Sequence, residues 1–184
     1  SVSRGLGDVY KRQFMGTTAP YGYIKDPADH NHLLIDDKVA HVVKEIFDLA
    51  LKGNGVAKIC RHLNKQHILR PAAYAAERGE TGFERHFEGN EDKRYIWSGN
   101  SVRSILRSPI YAGNLVGYKR IAANMKSKKR PSKLPEEWEV IPNTHEGIVT
   151  QEEFDIVQQL ITSRRLPQNK GCLLYTSDAA DEED

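Results

Sequence analysis

Leu33–Ile68 reads LLIDDKVAHVVKEIFDLALKGNGVAKICRHLNKQHI, and its helical periodicity decides the fold. Val39, Val42, Val43, Ile46, Phe47 and Ala50 recur at the i, i+3, i+4 spacing of a helix with one apolar face. Asp36 or Asp37 can cap its start by accepting a backbone N–H, and Gly53 stands where a left-handed residue ends it. Val56, Ile59, Cys60 and Leu63 make the buried stripe of a second helix from Val56 to Gln66. Lys58, Arg61, His62 and Lys65 lie on its outward face.

Working outward, Trp97-Ser98 opens a third helix with Ser98 as its cap. Val102, Ile105 and Leu106 form the apolar side, and Pro109 stops the helix. Asn114 to Arg120 reads as a strand with Trp138 to Ile141 as its partner. Thr150 and Glu153 have the spacing of a capping box, opening a last helix that buries Phe154, Val157, Leu160 and Ile161. Before Leu33, residues 14–31 read as a linker and first extended segment, in which Pro20-Tyr21-Gly22-Tyr23-Ile24 alternates aromatic and small residues and Asp26-Pro27 punctuates. Residues 67–96, with Gly79, Gly82 and Gly89, read as an irregular polar loop. The class is therefore α+β: mostly helical, with a small antiparallel sheet and a C-terminal helix.

The two ends read differently. Asp8–Gln13 can be encoded by GAT GTG TAT AAG AGA CAG. Its opposite strand, read one base out of phase, gives TGT CTC TTA TAC ACA TCT, which encodes Cys172–Ser177. That shared sequence resembles the transposon-end adaptor used in sequencing libraries. Residues 1–13 and 172–184 are thus expected to be translated adaptor, and 166–171 the start of a cut linker. Residues 14–171 hold 24 of the 27 basic and 19 of the 25 acidic residues, a net +5 against +2 for the whole chain. That charge is compatible with a polyanion but does not select one. Between the ends Cys60 is the single cysteine, which excludes a disulfide or zinc framework there and reads as a small core residue. No apolar run approaches a membrane span and no signal peptide is present, pointing to a reducing cytoplasm.

Two features carry binding chemistry. Asn100, Arg103 and Arg107 stand at i, i+3 and i+7 on the third helix, away from its apolar side, with Ser101 beside them. Arginine can pair bidentately with guanine and asparagine with adenine, so the stripe suits a helix in a major groove. An ordinary amphipathic surface helix shows the same pattern. The second feature is a loop over 119–133 in which Lys119, Arg120, Lys126, Lys128, Lys129, Arg130 and Lys133 occur without one acidic residue. Such a loop stays solvated and is suited to phosphate contacts, or to solubility alone. Tyr21 and Tyr23 either approach a sugar-phosphate backbone or pack a first strand on the core. Catalytic patterns are lacking: the seven histidines show no metal-ligand spacing, and no phosphate loop or nucleophile elbow occurs. His145-Glu146 is the one suggestive pair, and its place before Thr150 suits a turn.

Taken in order, PYGYIKDP (Pro20–Pro27), Leu33–Ile68, WSGNSVRSILRSPIYAGNLV (Trp97–Val116) and EEWEVIPNTHEGIVTQEEFDIVQQLI (Glu136–Ile161) resemble the recombinase domain of the large serine recombinases. The resemblance covers nearly all of 14–165, with the domain at 32–165 and its variable loop at 67–96. It implies sequence-specific binding of double-stranded DNA at attachment half-sites. The helix at Ser98–Arg107 would enter a major groove, and Pro20–Tyr23 would lie along the adjacent backbone or minor groove. It also implies a parent that cuts DNA through a serine on a separate domain, carries a zinc-ribbon domain further on, and works as a homodimer or tetramer. On this reading the chain itself has no catalytic residue, metal or cofactor. Two rivals stand beside it: the DNA-binding domain of a transcriptional regulator, and an enzyme built on His145 and Glu146.

Overall fold

A computed structural model describes residues 14, 16–80, 82, 87, 90–117 and 139–163. Both segments read as adaptor, the cut linker and the basic loop 119–133 lie outside the described residues. Strand β1 (Tyr23–Lys25) pairs antiparallel with β2 (Leu33–Ile35), in the register Tyr23↔Ile35 and Lys25↔Leu33. Helices α1 (Ala40–Leu51), α2 (Val56–Lys65) and α3 (Pro71–Glu77) follow. A 3-10 turn (Glu91–Tyr95) leads to α4 (Gly99–Leu106) and a second 3-10 turn (Pro109–Ala112). Strands β3 (Leu115–Gly117) and β4 (Glu139–Ile141) pair antiparallel with Leu115 opposite Ile141, and α5 (Gln151–Ser163) closes the order. The strands form two separate ribbons and not one small sheet. Ribbons of three-residue strands have little stability of their own, so each depends on packing against the helices.

The core gathers around α1. Val43, Ile46 and Phe47 are fully buried, with Leu63 of α2, Val102 of α4 and Val157 of α5. The Phe47 ring lies 6.2 Å from that of Tyr111 and 6.3 Å from that of Phe154. Cys60 is buried, as its place in the apolar stripe indicates. Thr150 and Glu153 form the expected capping box: Glu153 N donates to Thr150 Oγ1 at 3.2 Å, and Thr150 N donates to Glu153 Oε2 at 2.8 Å.

Two expectations are corrected. The first helix starts at Ala40, with Val39 as its N-cap residue and no side-chain cap, because Asp36 closes the turn just before it. Its Oδ1 accepts Lys38 N at 3.2 Å, its Oδ2 accepts the Tyr74 hydroxyl at 2.7 Å, and its carbonyl turns the chain through Val39 and Ala40. Residues 67–96 also contain more order than their polarity indicated. Pro71 supplies a preset first helical residue and PAAYAAE is rich in the strongest helix former, so α3 forms and buries Ala73 and Ala75.

Glycine is required at the turn that leads into β3. Gly113 has φ +80° and follows the Pro109–Ala112 turn, where a Cβ would lie 2.6 Å from the carbonyl oxygen of His145. That close approach brings the 143–149 segment against the start of β3: Thr144 N donates to Gly113 O at 2.9 Å, and Val149 N donates to Tyr111 O at 3.1 Å.

Candidate nucleic-acid interface

Helix α4 is short, and its neighbours hold it at both ends. Ser98 Oγ accepts Ser101 N at 3.1 Å as the N-cap, and Gln158 Nε2 of α5 donates to the Leu106 carbonyl at 2.6 Å. Val102, Ile105 and Leu106 anchor the inner side. Just before α4, Trp97 N donates to Asn64 Oδ1 at 2.8 Å and Trp97 Nε1 donates to the Ile68 carbonyl at 2.9 Å. The start of α4 is therefore fixed to the end of α2 across the intervening insertion. That insertion is closed at its base, where Arg70 N donates to Arg94 O at 3.0 Å. The buried Phe87 ring sits 4.8 Å from the Arg70 guanidinium and 5.7 Å from that of Arg94.

The four polar residues expected on this helix separate into different roles. Asn100 and Arg103 are exposed on the outer face, and Arg103 Nη1 donates to Asn100 Oδ1 at 3.2 Å. Ser101 is half-buried, with its hydroxyl 2.9 Å from that of Ser98. Arg107 falls just past the helix as its C-cap and is half-buried, not a fully outward residue of the last turn. Lys119, Arg120, Lys126, Lys128, Lys129 and Arg130 lie outside the described residues.

A second row of cations comes into view only with the packing. Lys58, Arg61 and Lys65 are exposed along α2 at i, i+3 and i+7. α2 packs against α4, close enough that a Cβ on Gly99 would be 3.4 Å from Val56 Cγ1. Burial pushes the Cys60 thiol pKa up, and the nearby Arg103 charge pulls the other way. Neither Val56–Lys65 nor Gly99–Arg107 contains an acidic residue. α5 has the opposite character, with Glu152, Glu153 and Asp155 and no cation. The outward position of the α2 cations was legible in sequence, but their junction with α4 spans an insertion that no local pattern bridges.

Tyr21 and Tyr23 belong to the core, which corrects their assignment to a nucleic-acid surface. Tyr23 is 0 % and Tyr21 7 % exposed. The Tyr21 hydroxyl donates to Leu69 O at 3.0 Å, and its ring meets Trp97 and Tyr74 edge-on. The Tyr23 hydroxyl lies 3.0 Å from Glu146 O and 3.2 Å from Ile110 O, and accepts Ile148 N at 3.3 Å. Alternation in a first strand sends these rings inward, and burial raises both phenol pKa values.

His145 and Glu146 fix a turn. His145 Nε2 lies 2.7 Å from the Ile110 carbonyl and Nδ1 2.8 Å from Thr144 Oγ1, so both ring nitrogens are committed. An open cleft borders His145, Asn114, Asn143 and Gln151, but the Glu146 side chain does not line it. Burial lowers the His145 pKa below its ordinary value of 6.5, against the Ile110 hydrogen bond that raises it. A histidine with a lowered folded pKa binds protons more readily when unfolded, so its contribution to stability is present above pH 6.5 and is lost as pH falls below it. Urea midpoints at pH 7.5 and 5.5 are expected to fall towards acid, and His145→Gln should flatten that trend. An identical trend in the variant removes this assignment.

Among the described residues no group of three or more His, Cys, Asp or Glu is placed to hold a metal, and no helix is long and apolar enough to cross a membrane.

Comparison with known proteins bears on what this surface belongs to. The Recombinase family model matches residues 37–164. The uncharacterized protein YefB of Bacillus subtilis (strain 168) is 37% identical over 84 residues, 45% of this chain and 28% of that protein. A structure described as sequence requirements of the Listeria innocua prophage attP site aligns over 86% of this chain and 50% of its own, with TM-score 0.50 and 16% identity. Another, described as an LSR-DNA complex, aligns over 87% and 39%, with TM-score 0.48 and 17% identity. The chain thus spans half or less of the length of these relatives. With well over half of its residues matched by the family model, the chain belongs to the Recombinase family.

Proposed function

We propose that this chain binds duplex DNA sequence-specifically, as the DNA-binding recombinase domain of a site-specific serine recombinase. The observation that carries the reading is the pair of adjacent acid-free helices, with Lys58, Arg61 and Lys65 on α2 beside Asn100 and Arg103 on α4. A short helix anchored along its inner side, with polar donors outward, fits a major groove, while lysines on the neighbouring helix fit the flanking phosphates. The acidic α5 would face away from the polyanion. In this division of labour the chain recognises attachment half-sites in the cytoplasm. Strand cleavage belongs to a serine on another part of the parent protein, acting as a dimer or tetramer on DNA. One of the similar solved structures carries an attP site in its description, which agrees with this partner.

Salt dependence tests the reading. Each phosphate neutralised adds about −0.9 to the slope of log K against log salt, so the triple variant Lys58→Ala/Arg61→Ala/Lys65→Ala should flatten the slope by roughly two to three units. Neutralising the cations of loop 119–133 should flatten it further. Fluorescence anisotropy with a labelled duplex over a salt series measures both. An unchanged slope in the first variant takes α2 out of the interface, and in the second takes out the loop.

A further inference from the structure

Arg103 is restrained on the face it would present. Its Nη1 donates to Asn100 Oδ1 at 3.2 Å, one turn back on α4. Beneath it lies Gly99, where even a methyl group would come 3.4 Å from Nη1 and 3.4 Å from Val56 Cγ1. The Asn100 hydrogen bond thus holds the guanidinium over the bare Cα of Gly99, which leaves it room there. A side chain ordered before binding loses less freedom on binding, which improves both affinity and register. Arginine has five N–H donors; Asn100 engages one and leaves a two-donor edge. Guanine offers two acceptors, O6 and N7, in the major groove, whereas adenine offers an acceptor beside a donor. An asparagine that reads adenine needs its Oδ1 to accept from the base, and here the same oxygen is turned to Arg103.

We propose that Asn100 is a positioning residue that aims the Arg103 guanidinium at a guanine, in place of reading an adenine itself. The proposal rests on α4 being the helix that faces the groove, and its test separates the two. The 184-residue chain is used to select from a pool of random duplex DNA, and the enriched sequences are read for base preference at each position. The parent should enrich a motif containing a guanine that Arg103→Ala loses. Asn100→Ala should weaken preference at that same position several-fold while no adenine position disappears. Asn100→Asp keeps an acceptor for Nη1, so it should restore the guanine preference even as its added negative charge lowers affinity for all sequences. That rescue would not follow if Asn100 merely supported the helix.

Loss of an adenine position in Asn100→Ala, with the guanine preference intact, overturns the proposal in favour of direct adenine reading. An unchanged motif in that variant overturns it as well. If Arg103→Ala keeps the parent's motif, or the parent enriches none, the reading of α4 as the groove-facing helix fails and the proposal falls with it.

Discussion

Tyr23→Ala is expected to lower the stability of the domain by about 3–5 kcal/mol, enough to unfold much of it at ordinary temperature. The ring is wholly buried, stacked 6.0 Å from Tyr111 and edge-on to His145 at 5.0 Å, so its loss leaves a cavity between β1 and the turn after β4. Tyr23→Phe isolates the hydroxyl, which joins Ile110, Glu146 and Ile148. Removing it takes a partner from Glu146 O and from the half-buried Ile148 N, while the Ile110 carbonyl keeps His145, and about 1–3 kcal/mol is expected. Tyr21→Phe breaks one such bond, to Leu69, and should cost less. Urea denaturation of the three variants ranks them; a Tyr23→Phe variant within about 0.5 kcal/mol of the parent would sink the account of Tyr23 as the joint between β1 and the segments at Ile110 and Glu146–Ile148.

The second large effect concerns discrimination. Arg103→Ala should lower preference for the selected duplex over random DNA by about 1–3 kcal/mol, the worth of one bidentate base contact. Arg107→Ala should do less, since Arg107 is half-buried at the end of α4. Lys58→Ala provides the contrast, because a phosphate contact weakens binding to every sequence alike. Competition binding with selected and random duplexes separates these outcomes. Should both arginine variants discriminate as the parent does, α4 does not read bases.

How much of this was legible in the sequence follows from the range of each signal. The apolar stripes of α1, α2, α4 and α5, the Ser98 cap and the Thr150–Glu153 box are local patterns, and the structure bears them out except that Val56, Leu160 and Ile161 are only half-buried. Asp36 misled because its bonds to Lys38, Val39 and Ala40 close a turn ahead of the helix, while its second oxygen goes to Tyr74, thirty-eight residues on. α3 was hidden by its alanines, which have strong helix propensity but contribute little to an apolar stripe. Tyr21 and Tyr23 allowed two readings, since an alternating aromatic strand looks alike whether its rings meet a ligand or a core. The binding face was half legible: Asn100 and Arg103 lie together as spaced, whereas Lys58, Arg61 and Lys65 needed the packing of α2 on α4 to join them.

The clasp that joins Asn64 to Trp97, with Arg70 to Arg94 beside it, has an evolutionary consequence. It holds the two basic helices together irrespective of how much chain loops out beyond it. Once such a base is closed, doubling the length of a flexible loop costs only about 0.6 kcal/mol. A change in chain length between Arg70 and Arg94 that leaves this clasp closed would therefore carry little thermodynamic penalty, while the aim of α4 stays under separate selection.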